Sequence, residues 1–189
     1  MDLLSNIKLF VCDFDGIFTD GKLLVFSDGK TAKQIDYQDI MAVANIIKKG
    51  INFAIISGEK SCAIDILKEK FPMIDTFQNE RNKFQILEIL IKKYNITSEN
   101  IVYMGDDIND IACLEYVKHP YTVQNAHAKV KEVKNIKITN KYGGQGAVRE
   151  VADLIEWKNF SHKYLIKLIS LISIQLLIKN IHIALKSQH

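Results

Sequence analysis

Three short runs, Leu9–Cys12 (LFVC), Phe53–Ile56 (FAII) and Ile101–Met104 (IVYM), are apolar at every position rather than at every second one. A strand with apolar side chains on both faces is buried on both, which is the condition of a parallel sheet covered by helices. The segments between these runs fit that layout. Residues 40–50 (IMAVANIIKKG), 61–71 (SCAIDILKEKF), 83–94 (KFQILEILIKKY) and 110–117 (DIACLEYV) place apolar residues at helical spacing. The fold class expected is therefore α/β, a doubly wound Rossmann-like parallel sheet. One stretch breaks the alternation: residues 21–37 (GKLLVFSDGKTAKQIDY) read as two short strands around a Ser27-Asp28-Gly29 turn, a β-hairpin projecting from the sheet edge.

The chain has 189 residues, two prolines, no internal repeat and no Pro/Gly linker, which favours one domain, residues 1–156, followed by a tail, residues 157–189. A formal net charge of +3 with acids and bases interspersed gives no reason to propose nucleic-acid binding. Cys12, Cys62 and Cys113 are scattered without metal-ligand spacing, so neither a disulfide framework nor a zinc site is expected, and a reducing cytoplasm fits. The first strand begins within about ten residues of the N-terminus, which leaves no room for a secretory signal. In the tail, residues 164–185 (YLIKLISLISIQLLIKNIHIAL) are nearly all aliphatic, interrupted by Lys167, Lys179 and His182. The uninterrupted part is shorter than the roughly 20 residues of a spanning helix. The reading is a helix packed on the domain or on a neighbouring subunit, with contact at a membrane surface as the alternative.

In open parallel sheets, ligands sit beyond the carboxyl ends of the strands. Three apolar runs are followed there by polar residues: Asp13 and Asp15 after the first, Ser57 and Gly58 after the second, and 105–110 (GDDIND) after the third. If these strands are neighbours, several carboxylates converge, and like charges that close need a cation or a proton. Mg²⁺ is the simplest answer, because it prefers oxygen ligands and works with one or two carboxylates and a phosphate. A carboxylate beside such a cation can attack phosphorus to give an aspartyl phosphate that water then hydrolyses. Asp13 is placed to be that nucleophile. Asp15, on the same side if the backbone stays extended, can protonate the leaving alcohol and later activate water. Ser57 with the amides after it, and Lys83, meet the need to neutralise the phosphoryl oxygens. Taken singly, the acid pair is a loop feature, Ser57-Gly58 a turn and Lys83 a surface lysine. Their order, each acid or hydroxyl motif directly after a strand, carries the reading.

This ordered set, DxDGxxTDG, then Ser-Gly, then Lys, then GDDxxD, resembles the haloacid dehalogenase superfamily of phosphotransferases from about Ile7 to about Ile155. The resemblance implies Asp13 as nucleophile, Asp15 as general acid/base, and Ser57 and Lys83 as phosphate holders. It implies a Mg²⁺ ligated by Asp13, Asp106 and the backbone carbonyl of Asp15, with Asp107 and Asp110 holding metal waters or orienting Lys83. The gaps where many members insert a cap domain are filled here by the hairpin and single helices, so a cap is not expected.

Among capless members the chain is similar to the 3-deoxy-D-manno-octulosonate 8-phosphate phosphatases, which share a hairpin at this place and a late segment like residues 143–150 (GGQGAVRE). That resemblance implies a phosphorylated sugar acid as substrate, a role in lipopolysaccharide synthesis, and a homotetramer joined through the hairpins in which a neighbour closes each site. Two departures bear on the substrate. The subfamily commonly has Arg-Asp-Gly where this chain has Gln38-Asp39-Ile40, and arginine after the Ser/Thr-Gly pair where this chain has Glu59-Lys60. Glu-Lys there is similar to phosphatases of nine-carbon, sialic-type sugar acid 9-phosphates, so Gly58, Glu59 and Lys60 are candidate substrate contacts. Arg149 is read either as a ligand for the substrate carboxylate or as a surface residue. A reading from another class is a phosphatase-like domain without turnover that serves as an oligomerisation module.

Overall fold

The computed structural model describes residues 4–155, and the readings made of the 157–189 tail fall outside them. The strands are β1 (Leu9–Cys12), β2 (Leu24–Val25), β3 (Thr31–Ala32), β4 (Asn52–Ile56), β5 (Asp75–Phe77), β6 (Ile101–Met104), β7 (His119–Thr122) and β8 (Lys137–Ile138). The helices are α1 (Tyr37–Lys48), α2 (Cys62–Lys70), α3 (Lys83–Tyr94), α4 (Ile111–Tyr116), α5 (Ala128–Lys131) and α6 (Ala147–Asp153). Six strands form one sheet in the order β5-β4-β1-β6-β7-β8, and every pairing in it is parallel.

β1 lies inside the sheet because it can: all four of its residues are buried, as are those of β6. From β1 the chain winds outward through β4 to β5, then returns across to β6 and runs on to β8. With right-handed crossovers that reversal puts α1 and α2 on one face and α3 and α4 on the other. α6 packs against α1, and α4 against α3. The reversal point lies between β1 and β6, where a doubly wound sheet opens a crevice.

Local chemistry sets the helix ends. Asp36 caps α1 by accepting from the Gln38 N–H, and Asn82 caps α3 by accepting from the Gln85 N–H. Asn95 ends α3 in the left-handed conformation that asparagine tolerates. The expected hairpin is present as the antiparallel pair β2–β3, a separate two-stranded sheet. Its turn is closed by the Phe26 N–H donating to the Lys30 carbonyl at 2.8 Å.

The core joins the fold to the site through aromatic side chains. Phe10 and Phe53, on adjacent strands, stack at 5.4 Å, and Phe18 meets Phe53 edge-on at 6.2 Å. Phe14 stacks on Phe18 at 5.7 Å. Phe14 and Phe18 belong to the loop after β1, so burying them fixes the loop that carries Asp13 and Asp15.

Candidate active site

Strand register brings the three polar motifs together. Cys12 lies opposite Ile55 on β4 and Met104 on β6. Asp13, Ser57 and Asp106 therefore leave the same sheet edge side by side. Each exit is held one step past its strand: the Asp13 N–H donates to the Met104 carbonyl, the Ser57 N–H to the Phe77 carbonyl and the Gly105 N–H to the Tyr121 carbonyl. They open into a cleft of about 540 Å³ lined by Asp13, Asp15, Ser57, Gly58, Glu59 and Arg81, together with Asp106, Asp107 and Asn109.

The backbone after β1 does not stay extended, which corrects the argument that placed Asp15. The chain turns at once, with the N–H groups of Phe18 and Thr19 both donating to the Phe14 carbonyl. Thr19 is fully buried, and its Oγ1 accepts from the N–H groups of Gly16 and Gly21, each at 3.2 Å. The threonine of DxDGxxTDG is thus the brace of the turn. Gly16 has φ +85°, and a Cβ there would lie 1.9 Å from Asp106 Oδ2. Only glycine lets the turn pass this carboxylate. Asp15 reaches the cleft from the turn, and both of its carboxylate oxygens accept from Lys33 Nζ, at 2.6 and 2.8 Å.

At the floor, Lys83 Nζ lies 2.9 Å from Asp13 Oδ1 and 2.9 Å from Asp110 Oδ1. Burial works against the Lys83 charge, but Asp110 and Asp13 overcome it and hold the ammonium above the usual lysine range. Burial first, then the charge of Asp110, pushes Asp13 well above the usual carboxylate range. The same two causes push Asp106 up to about 7. One carboxylate oxygen from each of Asp13, Asp106 and Asp110 lies within 4.8 Å of the others.

These three acids are not equivalent. Asp110 Oδ1 accepts from Lys83 and from the Tyr103 hydroxyl at 2.8 Å, and Oδ2 accepts from the N–H groups of Asp106 and Asp107. Asp110 is therefore committed to orienting Lys83 and the acidic loop. Asp106 Oδ1 is buried with no hydrogen-bond partner. An orphaned carboxylate oxygen beside a second carboxylate fits a hard divalent cation held by Asp13 and Asp106.

The other expected residues are placed as follows. Ser57 is buried in the cleft wall, its hydroxyl donating to the Glu59 carbonyl and accepting from the Glu59 N–H. Gly58 and Glu59 line the cleft. Lys60 lines an adjoining cavity of about 650 Å³ that shares Asp15, Gly21 and Glu59 with it. Asp107 caps the turn after β6 by accepting from the Ile108 N–H at 2.7 Å. Arg149 is not brought to the cleft lining; its Nε donates to Asp153, one turn along α6.

Three contributions were not read from the sequence. Lys33 follows the second hairpin strand with nothing nearby to mark it as a partner of Asp15. Arg81 reads as one more charge before a helix. Asp39, fully buried, accepts from the N–H groups of Gly146 and Arg149 and so ties the 143–150 segment to α1. In that segment Gly143 packs so closely on the turn after β1 that a Cβ would lie 1.7 Å from the Gly16 carbonyl oxygen.

A parallel sheet whose central strand ends in this acid and lysine set is the frame of the haloacid dehalogenase-like hydrolases, whose family model matches residues 58–150. The chain belongs to that family, and it is a phosphatase, a phosphoric monoester hydrolase. Within the family it is similar to the 3-deoxy-D-manno-octulosonate 8-phosphate phosphatase of Salmonella typhi, with 30% identity over 155 residues, 82% of either chain. The corresponding enzyme of Moraxella catarrhalis, solved in complex with magnesium, phosphate and the KDO molecule, is 34% identical with a TM-score of 0.74 over 79% of this chain and 85% of its own. The cobalt-bound enzyme of Haemophilus influenzae is 27% identical, with a TM-score of 0.72 over 79% of this chain and 86% of its own.

Proposed function

We propose that this protein is a Mg²⁺-dependent phosphatase that hydrolyses 3-deoxy-D-manno-octulosonate 8-phosphate to the free sugar acid and phosphate. The observation that carries the reading is the floor of the cleft: Asp13, charge-balanced by Lys83, beside Asp106 with its unpartnered buried oxygen. The named relatives are phosphatases of that substrate, and the residues gathered at this floor support that chemistry here.

In this reading an Asp13 carboxylate oxygen attacks phosphorus, and the bond from phosphorus to the sugar oxygen breaks. Asp15 delivers a proton to the departing oxygen, and the aspartyl phosphate remains on Asp13. Asp15 then takes a proton from water as the water attacks phosphorus and releases Asp13. Lys83 offsets charge on Asp13 and the phosphoryl oxygens, and Ser57 with the amides beyond it holds those oxygens. Asp13 and Asp106, with the Asp15 backbone carbonyl, would hold Mg²⁺, which when bound neutralises phosphoryl charge and makes the closeness of the carboxylates tolerable. The three cysteines, all free, fit a cytoplasmic enzyme.

One observation favours a second substrate. Glu59 lies on the wall shared by both cavities and Lys60 lines the second, the Glu-Lys pair that is similar to phosphatases of nine-carbon, sialic-type sugar acid 9-phosphates.

Phosphate release with Mg²⁺ is the test, comparing kcat/KM on the eight-carbon and nine-carbon sugar acid phosphates. Preference for the eight-carbon acid is expected. Preference for a nine-carbon acid would move the reading to sialic-type substrates. Asp13→Asn and removal of the metal by chelation are each expected to abolish turnover while the fold persists. Full activity in Asp13→Asn would sink the mechanism.

A further inference from the structure

Only two of the chain's 25 Lys and Arg residues are arginines, Arg81 and Arg149. Arg149 is engaged by Asp153 on α6. Arg81 has no hydrogen-bond or ion-pair partner among the described residues, and it faces the catalytic cleft. That lining carries five carboxylates, Asp13, Asp15, Glu59, Asp106 and Asp107, and Arg81 is its one cationic side chain. Lys83 lies beneath the floor, engaged by Asp13 and Asp110.

The backbone around Arg81 is fixed. The Glu80 N–H donates to the Ser57 carbonyl at 3.0 Å, and Asn82 caps α3. Arg81 is thus held between the Ser57 loop and the helix that carries Lys83. The phosphoryl end of a substrate belongs at the floor, where Asp13, Ser57 and Lys83 are 6%, 1% and 1% exposed. Arg81 is exposed at the rim. Its guanidinium therefore meets the part of the substrate that protrudes, the leaving alcohol.

A cleft this acidic repels an anionic leaving group unless something on its wall attracts it. Guanidinium is the side chain suited to the task, because its planar fork gives two parallel N–H···O bonds to one carboxylate. We propose that Arg81 is a specificity-determining residue that binds the carboxylate of the leaving sugar acid at the cleft rim. Glu59, on the same lining without an ion pair to Arg81, accepts sugar hydroxyls. The proposal rests on the sugar-acid reading of the site given above.

The test compares two phosphate monoesters with Mg²⁺ present: 3-deoxy-D-manno-octulosonate 8-phosphate, and p-nitrophenyl phosphate, which has no carboxylate. The ratio of kcat/KM on the first to that on the second is expected to fall about 10- to 100-fold in Arg81→Ala, the scale of a hydrogen-bonded charge pair. The loss is expected mainly in KM, and Arg81→Lys is expected to recover part of it. An equal loss on both esters would overturn the proposal, since Arg81 would then be a phosphoryl ligand. A wild-type preference for the sugar acid that survives Arg81→Ala would overturn it too and leave the sugar-acid reading standing. A wild-type enzyme with no preference for the carboxylate-bearing ester would bring down both.

Discussion

Lys83 is the residue on which the cleft floor turns. Its ammonium is fully buried with Asp13 and Asp110 each 2.9 Å away. Breaking a buried pair by removing one partner is far more damaging than removing both, because the remaining charge is stranded. Lys83→Met strands two carboxylates, and a stability loss of about 3–5 kcal/mol is expected in urea unfolding. Adding Asp110→Asn to it is expected to restore part of that loss without restoring turnover. A loss below about 1 kcal/mol in the single variant would mean that the triad does not hold the floor. That Asp13, Ser57, Lys83 and Asp106 gather at one sheet edge was legible in the sequence because each stands at the end of an apolar strand or the start of a helix. The division of labour among the acids came only from the family resemblance, which left Asp110 either holding metal waters or orienting Lys83. Asp106 and Asp110 sit in one short acidic run, and the bonds from Tyr103 and Lys83 favour Asp110 as the acid that orients the lysine. Lys33 was hidden for another reason: its ion pair with Asp15 spans 18 residues and depends on where the hairpin folds back.

At the scale of elements, α6 is joined to α1 by a buried acid, and that joint is sensitive to pH. Burial pushes Asp39 up to about 6, against the N–H groups of Arg149 and Gly146 that lower it. An unfolded aspartate titrates near ~3.9. The folded state therefore holds this proton more tightly, so the contribution to stability is fully present below about pH 4 and is lost as pH rises through about 6. The shift corresponds to about 3 kcal/mol. Unfolding by urea at pH 4.5 and pH 7, with chelator present, is expected to show Asp39→Asn losing less stability than the wild type as pH rises. The difference should be of that size or smaller. Parallel behaviour of the two proteins would mean that Asp39 does not titrate inside the fold. The elements themselves were legible in proportion to their apolar content. β1, β4, β6 and the longer helices announce themselves, whereas β7 (HPYT) contains a proline and polar ends, and β8 has only two residues. β7 exists because β6 offers it an edge, and β8 because β7 does in turn, which no local pattern encodes.

For the whole molecule the open question is what the hairpin meets. Leu23, Leu24, Val25 and Phe26 are consecutive and 53%, 58%, 63% and 49% exposed. A two-stranded hairpin is at best marginally stable alone in water, and contiguous exposed apolar side chains mark an interaction surface. We propose that they pack between subunits of a homotetramer in which a neighbour completes the wall of each cleft. Lys33 makes the hairpin part of the site, since it holds Asp15 from the strand end. Displacing the hairpin should therefore reach the chemistry. Val25→Asp places a charge in the middle of the apolar run and is expected to give monomers by light scattering, with kcat/KM lowered about 10-fold or more through loss of the Lys33 contact that orients Asp15. The chain ending after Glu156 separates this surface from the aliphatic tail as the cause of assembly. If the hairpin holds the tetramer, the shortened chain remains tetrameric and Val25→Asp does not. A shortened chain that falls to monomers while Val25→Asp stays assembled would assign the interface to the tail. Liposome flotation of the same pair, full-length and shortened, tests whether residues 164–185 contact a membrane surface; equal behaviour would remove that reading.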